Sequence, residues 1–114
     1  MSTNPTPELP KAIAAYQAAH DARDVETALV QFAPDAVVID DGREYRGLDG
    51  VEEFIRGAAS EFTYTRTLLD ATEEGPGQWL VTNHLAGDFP GGVVDLRYRF
   101  RLVDDRIAVL VIAP

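Results

Sequence analysis

Residues 93–103, VVDLRYRFRLV, alternate between apolar and polar side chains along most of their length. A period of two is what a β-strand shows when one face is buried and the other meets water. Val94, Leu96, Tyr98, Phe100 and Leu102 fall on one side, and Asp95, Arg97, Arg99 and Arg101 on the other. Such a strand needs neighbours, and its sheet needs a cover on one face. The runs FTYTRTLLDATEE, QWLVTNHLAG and RIAVLVIA supply the neighbours, separated by a turn over residues 73–77 and a hairpin loop over residues 88–92. RIAVLVIA is apolar on both sides, so it is either central or covered by another chain.

The cover must come from the first half, where helical signals prevail up to about Ser60. KAIAAYQAAHDA, residues 11–22, is rich in the best helix former, and Ile13, Tyr16, Gln17 and His20 share one face. Its start lies between Thr6 and Pro10, because proline is tolerated in a helix's first turn. Asp24 reads as the N-cap of a second helix, VETALVQFA, ended by Pro34. A strand, AVVID, follows, then a turn at Asp41-Gly42 and a short arm, REYRG. A third helix is expected with Asp49 as its cap and Glu52 completing a capping box; Val51, Phe54 and Ile55 form its apolar stripe. These patterns predict an α+β fold, three helices packed on one face of a curved, mainly antiparallel sheet. Residues 1–10, with three prolines, read as a disordered lead, and 11–114 as one domain.

Charge and composition narrow the function. A net charge of −9 repels phosphate backbones and argues against a nucleic-acid partner. There is no cysteine, and His20 and His84 are too few for a typical structural zinc site. The start lacks the features of a signal peptide, and no window is apolar enough to span a membrane, so a cytoplasmic location is expected. No phosphate loop, dinucleotide fingerprint or serine elbow is present, which leaves carboxylates and phenols.

Asp40 and Asp41 close the first strand pointing to opposite sides. An inward Asp40 would be a carboxylate beside apolar side chains, where burial favours a general base. An outward one would be a solvated strand end, and Asp41, before Gly42, is the better turn residue. Tyr16, on the inner face of the first helix, needs a hydroxyl partner from the core or from a ligand. Tyr98 poses the same question from the sheet. His20 is either a pocket base or a histidine stabilised at a helix C-terminus. Asn83 shares its strand phase with Trp79, Val81 and Leu85, so it, rather than His84, is expected to face inward. The row Arg97, Arg99 and Arg101 reads as an outer face, and the facing of Arg66 is left open.

The run AAYQAAHDARDVETALVQFAPDAVVIDDG, with RGLDGVEEFI and YRFRLVDDRIAVL, resembles the nuclear-transport-factor-two-like superfamily. Within it, the chain is similar to ketosteroid isomerases and SnoaL-like polyketide cyclases. The resemblance implies a conical half-barrel of the cystatin-like α+β type enclosing an apolar pocket, and a homodimer formed through the outer sheet face. It puts Tyr16 where the isomerases keep an oxyanion-binding tyrosine, Asp40 where they keep the base, and Phe54 at a pocket-lining position. Tyr98 falls where they carry a carboxylic acid held neutral to donate a hydrogen bond; a phenol is neutral at pH 7 without such tuning. Asp41 replaces a proline common after the base.

The resulting expectation is a pocket enzyme without cofactor or metal. Asp40 would take a proton α to a carbonyl of a small hydrophobic cyclic molecule, with Tyr16 and Tyr98 stabilising the enolate. His20, Phe54, Asn83, Val94, Leu96 and Phe100 would contact the substrate. The alternatives are a non-catalytic dimeric binding domain, and an epoxide hydrolase or dehydratase, for which the family uses an inward arginine between two acids.

Overall fold

The computed structural model describes residues 9–57 and 62–114. Residues 1–8 of the expected lead, and the change of pattern at Ser60, lie outside the described residues. The elements run α1 (Lys11–Asp21), α2 (Val25–Leu29), β1 (Phe32–Asp40), β2 (Arg43–Arg46), α3 (Gly47–Arg56), β3 (Tyr64–Gly75), β4 (Gln78–Gly87), β5 (Val93–Val103) and β6 (Arg106–Ala113). The strands form one sheet in the order β2-β1-β6-β5-β4-β3. Only β1 and β6 run parallel; every other neighbouring pair is antiparallel. The last strand is therefore central, which accounts for its two apolar faces.

Cross-strand partners sort the side chains. Tyr98 lies opposite Val81 and Ile112, Leu110 opposite Val38 and Phe100, and Asn83 opposite Leu68 and Leu96. These positions make the inner face, as the alternation of β5 requires. Helices α1 and α3 cover it: Tyr16 meets Phe32 and Phe100 edge-on at 5.3 and 6.2 Å between ring centroids, and Phe54 meets Tyr45 at 5.4 Å. Ile13, Val51, Phe54, Val38, Val81 and Leu110 are all but inaccessible, and each such side chain contributes roughly 1.5–3 kcal/mol. Register shifts in β1, β3 and β5 mark bulges, which bend and twist a sheet around its cover.

Three local expectations are corrected. The second helix stops at Leu29 rather than at Pro34, because the chain is captured by β6: the Ile107 amide donates to the Gln31 carbonyl at 2.8 Å and Phe32 pairs with Ile107. Pro34 lies inside β1, in the stretch where the β1–β6 register shifts, so its missing amide costs no ladder bond. The third helix begins at Gly47, whose φ of +69° lets the chain turn straight out of β2. Asp49 consequently sits within the first turn instead of capping it, and Glu52 pairs with Arg56 one turn on, at 2.8 Å. The first four residues of the arm, REYR, are a strand, β2, paired with β1.

Candidate active site

The β1–β2 hairpin delivers the first acid. Asp40 pairs with Arg43, so the loop between them has two residues, Asp41 and Gly42, with φ of +53° and +79°. Positive φ at both positions is the signature of the type I′ turn that suits a strand's twist. Asp41 thus serves the turn, while Asp40, in phase with Val38, points to the inner face beside Ile112.

Asp40 opens on a cavity of about 260 Å³ between the helices and the sheet. Tyr16 and His20 enter from α1, Phe54 from α3, and Val94, Leu96 and Tyr98 from β5. Two expected contacts are not in its wall. Asn83 faces inward but is fully buried, and neither its Oδ1 nor its Nδ2 has a partner among the described residues. Phe100 lies under the wall, stacked on Tyr98 with centroids 6.3 Å apart. Phe100 lies one inward position beyond Tyr98, where the Tyr16 ring packs on it, whereas Asn83 sits level with the lining residue Leu96 but is fully buried.

The pattern reading missed Phe62, Tyr64, Arg66, Leu85, Phe89, Pro90 and Ile112 at the cavity. A signal for Arg66 existed: Phe62, Tyr64, Arg66 and Leu68 share strand parity, so an inward Tyr64 and Leu68 carry Arg66 with them. Its side chain is only 7% exposed. Nε and Nη2 donate to Asp21 Oδ1 at 3.2 and 2.9 Å, and Nη2 also reaches His20 Nδ1 at 3.2 Å. The Tyr64 hydroxyl lies 3.2 Å from Nδ1 and 3.4 Å from Nε2.

Burial dominates the electrostatics. It pushes the Tyr16 and Tyr98 phenols well above their ordinary value, so both stay protonated and can donate. Among the described residues, no hydrogen bond holds either hydroxyl. Burial, and then the neighbouring Asp41, raise the Asp40 carboxyl. Burial acts to raise Asp21 as well, but the adjacent His20 and the Arg66 guanidinium outweigh it and hold Asp21 below the usual carboxylate range. One cavity thus contains a carboxylate of raised basicity, three neutral phenols and a buried cation. No group of three or more potential metal ligands occurs among the described residues.

A sequence model of the SnoaL-like domain matches residues 13–110. The chain belongs to the SnoaL-like family. Its structure superposes on a Sinorhizobium meliloti protein, described as a candidate polyketide cyclase, with a TM-score of 0.85 and 34% identity over 92% of this chain and 95% of that one. A Catenulispora acidiphila protein with a ketosteroid isomerase-like fold, solved with trimethylamine, gives a TM-score of 0.80 at 16% identity over 94% and 87% of the two chains. A Mycobacterium tuberculosis protein solved with estradiol-17β-hemisuccinate gives 0.75 at 20% identity over 90% of each. The last two likenesses show the fold, which is that of the nuclear-transport-factor-two-like superfamily. No curated protein matched the SnoaL-like chain. No helix among its described residues is long and apolar enough to cross a membrane.

Proposed function

We propose that this SnoaL-like protein removes a proton α to a carbonyl of a small, largely apolar cyclic molecule, in an isomerisation or an aldol-type cyclisation. The observation that carries the reading is the convergence of Asp40, Tyr16 and Tyr98 on one cavity. Asp40 is the base. The carbonyl oxygen gains negative charge as the C–H bond breaks, and the Tyr16 and Tyr98 hydroxyls donate to it. The protonated Asp40 then returns the proton to another carbon of the enolate, or the enolate carbon attacks a second carbonyl. The candidate cyclase from Sinorhizobium meliloti and the steroid-derivative complex from Mycobacterium tuberculosis support a ring-shaped ligand. At about 260 Å³ the cavity is just below the usual ligand-pocket range of roughly 300–1,000 Å³, so a compact ring system suits it.

The test is isotope exchange: a bound cyclic ketone is incubated in heavy water with wild type and with Asp40→Asn. Wild type should exchange the α-hydrogen faster; equal rates would remove Asp40 as the base. A purely binding role predicts thermal stabilisation by the same ketone with no exchange by either protein.

One observation favours a second reading, hydrolysis or dehydration: Arg66, whose facing was open, turns inward. The expected arrangement is an arginine between two acids. Here Arg66 holds Asp21, and among the described residues no bond joins it to Asp40, so half of that arrangement is present. We further infer a homodimer through the uncovered sheet face, where Val37, Ile39, Val109 and Val111 stand half-buried.

A further inference from the structure

The polar lining of the cavity, from α1 and the sheet together, is rich in donors. Arg66 rises from β3 and carries its guanidinium across to β5, where Cζ sits 5.7 Å from the Tyr98 ring centroid. Its Nε and Nη2 are satisfied by Asp21 and His20, but Nη1 is buried with no partner among the described residues. A charged nitrogen left in that condition costs free energy that an acceptor would relieve. The surroundings say what kind of acceptor. Tyr16, Tyr64 and Tyr98 all keep their protons, and among the described residues Asp40 is the only carboxylate lining the cavity. Asp21 holds Arg66 from outside the cavity: it is not among the lining residues, and its side chain is 45% exposed against 7% for Arg66. The guanidinium is also flat and forked, the geometry that matches a carboxylate.

We propose that Arg66 anchors an ionised acid group, so that the ligand is an apolar ring carrying a carboxylate. The Tyr16–Tyr98–Asp40 end takes the ring's reacting carbonyl, and Arg66 fixes which way round it lies. This rests on the cavity being the ligand site, and is independent of whether Asp40 moves a proton.

The test compares two probes of the same shape, 2-naphthoate and the neutral 2-acetonaphthone, by calorimetry on the full chain. A charge-assisted bond is worth enough that wild type should bind the acid roughly tenfold more tightly than the ketone. Arg66→Gln should remove that preference and leave the ketone within about threefold of wild type; Arg66→Lys should restore part of it. Asp21→Asn provides an arm of opposite sign, since it removes the charge that competes for Arg66: in protein verified as folded by its melting curve, the acid should bind more tightly and the ketone unchanged. Equal affinity of wild type for both probes, no binding of the acid, or parallel responses of acid and ketone to both Arg66→Gln and Asp21→Asn would overturn the assignment. Isotope exchange reports on Asp40 alone, so failure of that reading is distinguishable from failure of this one.

Discussion

Asp40 bears on catalysis and stability in opposite senses. Its carboxyl is raised by burial and by Asp41, so the folded protein holds that proton to higher pH than the unfolded chain does. Stability at this site therefore falls as pH rises through the raised value and recovers on acidification. Asp40→Asn should raise the thermal midpoint at neutral pH while abolishing exchange, a pair of outcomes that melting curves and heavy-water NMR read separately. The base must be ionised, so the acid limb of the exchange rate should lie above the ordinary carboxylate value. The phenols have a different signature. Tyr16→Phe keeps the ring contacts with Phe32 and Phe100 and removes one donor, so kcat should drop by about 10²–10³ with little change in melting temperature. Tyr98→Phe should lower kcat in the same direction, with a further loss of the Arg66 contact geometry excluded because the ring remains.

At the scale of elements, legibility followed whether a residue's position depended on its own neighbours. The alternation of β5 assigned Tyr98 to the inner face, and the adjacency of Asp41 to Gly42 assigned the turn; the facing of Asp40 stayed open in the pattern and is fixed by its pairing with Arg43 and Ile112. Pro34 and Asp49 misled because distant partners decide there: β6 captures the chain at Gln31 and Phe32, and Gly47 releases it from β2 before a cap is required. Asn83 and Phe100 were assigned to the right face, but a period of two does not encode which inward side chains are covered by their neighbours: Tyr16 packs over Phe100, and Asn83 is fully buried beside the lining residue Leu96. Arg66 was hidden for another reason, since a charged residue weakens the very alternation that would place it. A close approach between β3 and β4 was equally invisible. A Cβ at Gly87 would stand 2.5 Å from Tyr64 Cβ and 2.7 Å from Tyr64 Cα. Gly87→Ala should therefore cost about 1–3 kcal/mol in urea unfolding and, by displacing Tyr64, weaken ligand binding as well.

For the molecule as a whole, the uncovered face is where the proposed homodimer would form. The outer side of the sheet presents Val37 and Ile39 from β1 and Val109 and Val111 from β6, all half-buried and contiguous through the strand pairing, while Leu80 of β4 lies across the β5 arginines. Beside them run Arg97, Arg99 and Arg101, with Asp95 and Glu74 on the same side; Arg99 bonds Glu74 at 2.6 Å and His84 bonds Asp95 at 2.6 Å. A face carrying both signs of charge around an apolar centre is self-complementary under a two-fold axis, where each arginine row can meet the other copy's acids. A net charge of −9 opposes such pairing at long range, so burial at the centre must supply the affinity. Val111→Asp places a carboxylate at that centre while pointing away from the cavity. Sedimentation should show wild type as a dimer and Val111→Asp as a monomer. Because Val111 touches no cavity residue from its own face, the monomer should retain ligand binding within about threefold. A wild-type monomer, or a Val111→Asp dimer, would mean that the outer face is simply a solvated surface.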